Sequence, residues 1–233
     1  MEKVFLIAGK EYPSCEDFAH FLNKNGDKVM VAGTGFSEQS SVSYAEWNRN
    51  SAISARSLVL ETETILGQTD IAFILFDTEQ YLGKFAKLSM EEISRGIDYL
   101  IAGYIQLTME LINRFTKIGK GNICFLVKKH PSLVDVHKNP KKIDMAPANP
   151  LLSAAESAFF SFAENIAVKY AQSKIGIQLV DYTNLDNEQE NLYPWLVEYL
   201  ETAFKKPDTN VKNAAKWVVP GAKFSAGWTL FKK

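Results

Sequence analysis

A chain of 233 residues, 46% hydrophobic and 12% aromatic, carries enough apolar material for one mid-sized α/β core, and its 23% charged residues exclude a disordered chain. Its 26 basic and 27 acidic residues leave a formal charge of −1, so no overall field draws it to nucleic acid or to an anionic membrane. Its two cysteines, Cys15 and Cys124, sit in apolar surroundings and argue against a disulfide framework or a structural zinc site.

In chain order, Val4 to Ala8 reads as a strand, and Ser14-Cys15-Glu16-Asp17 as the capping box of a helix over residues 16–25 that Gly26 stops. The apolar run before Lys10 is too short for a secretory signal. No run approaches the roughly 18–20 residues of a spanning helix, so a cytoplasmic protein is expected. A strand over 28–32 precedes a polar Gly/Ser stretch and a weaker strand around 42–47; a helix over 54–66 ends at Gly67. The apolar run 71–76 has strand length and suits burial on both faces of a parallel sheet. A long helical pattern covers 89–117, ending at Gly119 and Gly121, and a strand follows over 122–127. Residues 128–150, rich in proline and lysine, can be neither strand nor helix throughout. A second long helix spans 151–171, then a strand over 177–180, a helix over 193–204 and the start of a short strand at 217–219. Strands and helices alternating at this spacing predict βαβ units with right-handed crossovers: an α/β fold, a Rossmann-like doubly wound parallel sheet flanked by helices in three α/β/α layers. Without repeat or linker, residues 1–233 read as a single domain.

Several segments carry a resemblance. Asp70-Ile71-Ala72-Phe73-Ile74 sits like an Asp-Ile-Leu-Val strand leading to Asn-Asn-Ala-Gly, and Gly103 in the following helix lies in an Asn-x-x-Gly-like setting. Gly121-Asn122-Ile123-Cys124 resembles a Gly-x-Ile-Val strand start, and residues 154–167 have the small-small-x-x-apolar-x-x-Phe spacing of a dimer helix. Gly176-Ile177-Gln178-Leu179 is like Gly-Ile-Arg-Val, and Ala226-Gly227-Trp228-Thr229 like a closing Asp-Gly-Gly-x-Thr. In these segments the chain resembles the short-chain dehydrogenase/reductase (SDR) family. The resemblance covers nearly the whole chain in order and implies the family's fold.

The departures concern the chemistry. Where the family has a glycine-rich turn that lets the backbone approach a pyrophosphate, the chain reads Gly9-Lys10-Glu11-Tyr12-Pro13-Ser14-Cys15 and keeps only Gly9. Asn48-Arg49 stands at the adenine-contacting pair, and Gly33-Thr34-Gly35 offers neither an acid for a ribose diol nor an arginine for a 2′-phosphate. Vestigial cofactor-binding candidates are Gly9, Lys10, Tyr12 and Asn48. Aligned on Phe162 and Ile166-Ala167, the family's catalytic tyrosine falls on Leu152, its lysine on Glu156, its serine on Lys128 and its asparagine on Leu100. Leucine transfers no proton. The expectation is therefore a catalytically degenerate, non-enzymatic structural or regulatory protein with no catalytic residue and no cofactor. The resemblance also implies a homodimer or homotetramer through helices 89–117 and 151–171. The alternatives are an NAD(P)H-dependent short-chain oxidoreductase with displaced catalytic residues and a nucleotide or anion sensor.

Other features compete for attention. Tyr170-Ala171-Gln172-Ser173-Lys174 contains a literal Tyr-x-x-Ser-Lys, with Ser157 thirteen residues earlier, but it reads as the end of a long helix running directly into a strand. The lysine-rich loop 128–142, with His130, Asp135 and His137, lacks metal-ligand spacing and reads as solvated, so no metal is expected. Lys10 and Lys128 each follow a central strand and are the best placed residues for an anionic small molecule.

Overall fold

The computed structural model describes residues 2–10, 15–33, 42–140, 145–185, 188–205 and 211–222. Among these, six strands form one parallel sheet in the order β3-β2-β1-β4-β5-β6: β1 (Val4–Ala8), β2 (Lys28–Ala32), β3 (Ser43–Ala45), β4 (Ile71–Asp77), β5 (Gly121–Lys128) and β6 (Ile175–Asp181). The helices are α1 (Glu16–Lys24), α2 (Ala52–Leu66), α3 (Met90–Ile97), α4 (Gly103–Ile118), α5 (Leu133–Lys138), α6 (Pro150–Tyr170), α7 (Glu188–Asn191), α8 (Tyr193–Lys205) and α9 (Val211–Ala214).

The layering follows from the pleat. In β4, Ala72, Ile74 and Phe76 point into a core built with α2, α4 and α6, while Ile71, Phe73 and Leu75 point into a second core built with α1 and α8. Alternation with both faces apolar leaves every β4 residue buried, as a strand covered by helices on both sides requires. In the first core Phe159 packs its ring 5.2 Å from Phe76, 5.4 Å from Tyr104 and 5.8 Å from Phe125. The three-layer α/β/α arrangement anticipated from the strand–helix alternation is present. No helix among the described residues is long and apolar enough to cross a membrane.

Local differences have local causes. The helical run expected over 89–117 contains a π-helical turn at Asp98–Ala102 between α3 and α4, with Leu100 buried in its middle. The α1 N-cap is Cys15, which makes no side-chain cap bond; Ser14, the other half of the expected capping box, lies outside the described residues. Within the segment expected to be a solvated loop, Ser132 and Asp135 form a capping box that nucleates the short helix α5, and His130 is buried. The last strand expected at 217–219 is reduced to one bridge, Val218 to Val180, and the closing segment at 226–229 lies outside the described residues.

Candidate functional site

The strand order reverses between β1 and β4, and in such sheets the crevice at the carboxyl ends of those strands is where ligands bind. Register sets what meets there. β1 ends at Ala8 and delivers Gly9 and Lys10; β4 delivers Asp77 directly opposite Lys128 of β5; and β6 ends at Asp181, followed by Tyr182.

Two polar groups fill this mouth. In the first, Lys10 is 6% exposed and its ammonium donates to the Glu188 carboxylate from the start of α7. Lys128 lies 3.6 Å from the other oxygen of Glu188 and 3.4 Å from Glu79. Asp77, also buried, accepts the Glu79 amide at 3.1 Å. Burial pushes the Asp77 carboxyl above the usual carboxylate range, against the pull of Lys128. Burial opposes the charge on Lys128, but Asp77, Glu188 and Glu79 outweigh it and raise the ammonium. Tyr193 hydrogen-bonds Glu188 from the first turn of α8. Beneath them Tyr182 is fully buried, and its hydroxyl has no hydrogen-bond partner among the described residues.

The second group centres on Glu156. Its Oε2 accepts the Thr78 hydroxyl at 2.6 Å and the His130 amide at 3.1 Å. The His130 ring is held in turn by its Nε2, which donates to Ala146 O at 2.6 Å. Burial raises the Glu156 carboxyl above its ordinary range despite those donors. Glu156 thus stands at the mouth of β4 and β5 on the face of α6 that also carries Leu152, which is fully buried in the apolar core.

Gly9 serves packing. Its φ is +103°, and a Cβ there would lie 2.0 Å from Leu75 O. Its carbonyl accepts from Tyr81 OH at 3.0 Å and from Arg49 Nη2 at 3.3 Å. Arg49, 4% exposed, is boxed by Trp47, Tyr81, Tyr99 and Tyr104, its guanidinium 4.5 to 5.5 Å from their ring centres. Asn48, exposed beside it, spends its side chain on the amide of Asn50 in the turn before α2. Tyr12 lies outside the described residues.

Of the sequence-derived positions, Lys10 and Lys128 meet on Glu188 at the mouth, Glu156 reaches the ends of β4 and β5 separately from α6, and Leu100 and Leu152 are core. The Tyr170–Lys174 pair lines a cavity of about 460 Å³ along β6, away from this mouth, and the Ser157 hydroxyl is spent on Ser153 O within α6. Asp135 is locked in its cap, and no cluster among the described residues could hold a metal. Glu188, Asp77 and Thr78 were not singled out from sequence. Glu188 meets Lys10 across 178 positions, and no local pattern marks such a contact.

No protein-family model matches the chain, and no curated protein matches it. Solved structures do. A short-chain dehydrogenase from Mycobacterium smegmatis aligns with a TM-score of 0.64 at 13% identity over 96% of this chain and 93% of its own. The 3-ketoacyl-(acyl-carrier-protein) reductase from Brucella melitensis, complexed with NADH, aligns at 0.57 and 18% over 77% and 73%. A short-chain dehydrogenase from Streptomyces avermitilis aligns at 0.56 and 14% over 78% of this chain, which spans only 65% of that protein. The class is a Rossmann-like α/β protein. More narrowly, the chain has the fold of the short-chain dehydrogenases/reductases, as the segment-by-segment resemblance implied. The expectation of a catalytically degenerate, non-enzymatic structural or regulatory protein is corrected by this finding: the proteins sharing the fold are named as dehydrogenases and reductases, one of them holding NADH. The expectation of no cofactor loses its ground for the same reason.

Proposed function

We propose that the chain is an NAD(P)H-dependent oxidoreductase in which Glu156, and not a tyrosine–lysine pair, handles the proton. The observation that carries this reading is a half-buried carboxyl, raised by its surroundings, at the mouth of β4 and β5 and bonded to the Thr78 hydroxyl. Lys10 and Lys128 at the same strand ends offer the charge for a diphosphate once the Glu188 carboxylate that both now hold has moved aside, and the Tyr182 hydroxyl, unpartnered among the described residues, is a further donor, although the Gly9 turn lacks the family's open glycine cradle. Lys10 and Lys128 would hold that diphosphate. When bound, a nicotinamide would supply the hydride, with its electron pair, for a carbonyl carbon.

The chain's own part is the proton. Thr78 and His130 both donate to Oε2 of Glu156, which leaves Oε1 to carry the acidic hydrogen and pass it to the carbonyl oxygen, giving the alcohol. A carboxyl raised by burial keeps that proton to a higher pH than an ordinary glutamate does. The Thr78 hydroxyl then stabilises the carboxylate left behind.

The test is oxidation of NADH and NADPH with a panel of small aldehydes and ketones across pH. The wild type is expected to turn over at least one carbonyl, slowing as pH rises through the Glu156 pKa, and E156Q to lose about 10²–10⁴ in rate. Turnover by E156Q at the wild-type rate, or no turnover of any carbonyl with either cofactor, overturns the assignment.

A further inference from the structure

Lys10 and Lys128 form a cationic pair at the switch point, and the chain's own Glu188 carboxylate lies between them. The arrangement has the parts of an anion site. Two ammonium groups approach one carboxylate from separate strands, and a third donor, the Tyr193 hydroxyl, comes from α8. A fourth is unused: the Tyr182 hydroxyl is wholly buried, has no partner among the described residues, and lies close enough to Asp77 and Glu188 to feel both charges.

Glu188 is the first residue of α7, a helix of only four residues, and its carbonyl accepts the Leu192 amide at 2.9 Å. Its carboxylate also brings a third negative charge to a place that already holds Asp77 and Glu79 opposite Lys128. Two cations then face three carboxylates; without Glu188 the numbers are equal, and burial favours the neutral form of Asp77.

We propose that Glu188 is an internal stand-in for a phosphate-bearing ligand: it holds the Lys10–Lys128–Tyr193 site shut, and a phosphate or diphosphate binds by displacing it and engaging the Tyr182 hydroxyl. The contact is autoinhibitory, because the same lysines cannot serve a ligand while Glu188 holds them. It stands at the mouth the reductase reading uses but does not depend on hydride transfer.

Inorganic pyrophosphate is the probe. Titrated calorimetrically, it is expected to bind E188A about tenfold more tightly than the wild type, and adding K10M to E188A is expected to abolish the gain. E188Q, which keeps the shape and can still bond Tyr193, is expected to show the same direction. Equal pyrophosphate affinity in wild type, E188A and E188Q overturns the proposal, as does a gain that survives K10M. On the unmutated chain, saturating pyrophosphate is expected to speed hydrogen exchange at the Leu192 amide as α7 lets go; unchanged exchange with pyrophosphate bound also overturns it. Parallel titrations with NADH and NADPH separate the sources. A gain for pyrophosphate alone keeps the latch and removes the dinucleotide, whereas a gain for pyrophosphate and a dinucleotide supports both.

Discussion

Replacing Gly103 by alanine sets two effects against each other on one methyl group. Gly103 opens α4, and a glycine in a helix ordinarily costs about 0.8–1.0 kcal/mol relative to alanine, so the substitution should stabilise. The added Cβ, however, would lie 2.6 Å from Arg49 O and 2.8 Å from Arg49 Cβ. Neither neighbour can swing aside. Moving the Arg49 backbone drags its guanidinium from Tyr81 OH at 2.6 Å and from Gly9 O, so the close approach of α4 is built into the site. Overpacking of this kind costs about 1–3 kcal/mol, and with backbone as the obstacle the upper end applies. The net is a loss of about 2 kcal/mol, or about 4–8 °C in Tm for a domain of this size. Gly96 is the control: its Cβ would meet the tip of the Leu151 side chain at 2.6 Å, which can rotate away. Thermal unfolding by circular dichroism should show G103A well below wild type and G96A at or above it. A G103A variant as stable as wild type, or a G96A variant equally damaged, would refute the reasoning.

Other substitutions probe the rest of the structure. Phe159→Ala removes the ring shared by Phe76, Tyr104 and Phe125 and should cost about 3–5 kcal/mol, read as a Tm about 10 °C lower; a drop of only a degree or two would mean that the cluster collapses around the gap. Glu156 and Asp77 bind protons more tightly folded than unfolded, so their contribution is fully present below the ordinary carboxylate range and is lost as pH rises through the folded pKa. E156Q should therefore melt above wild type at about pH 8 and converge with it at about pH 4, and a difference independent of pH would count against a raised carboxyl. Cys15 and Cys124 are wholly buried, and burial pushes the Cys124 thiol up, so an aromatic disulfide reagent should label neither until denaturant is added; rapid labelling of the native chain would contradict this packing.

The fold was legible because its signals are local. The fully apolar β4 and the alternation of strands with amphipathic helices follow from residue period, and the fold needs little else. α5 was missed because its cue, Ser132 with Asp135, is a two-residue cap inside a stretch whose prolines and lysines argued for loop. The π-helical turn carries no sequence period of its own; Leu100 is in the core whether the turn is α or π. The site was half legible. Lys10, Lys128 and Glu156 could be placed by counting from strand and helix ends, but Glu188 and Tyr182 gain their meaning from chain segments far apart in sequence. Reading the missing tyrosine and lysine as missing chemistry overlooked that Glu156 is itself an ionisable group whose pKa the fold sets.

The most direct test of the oxidoreductase reading is isothermal titration of NADH and of NADPH into the purified wild-type chain. Saturable one-to-one binding of at least one of them, weakened by K10M and K128M, is the predicted result. No binding of either up to millimolar concentration, from protein that melts cooperatively, would contradict it.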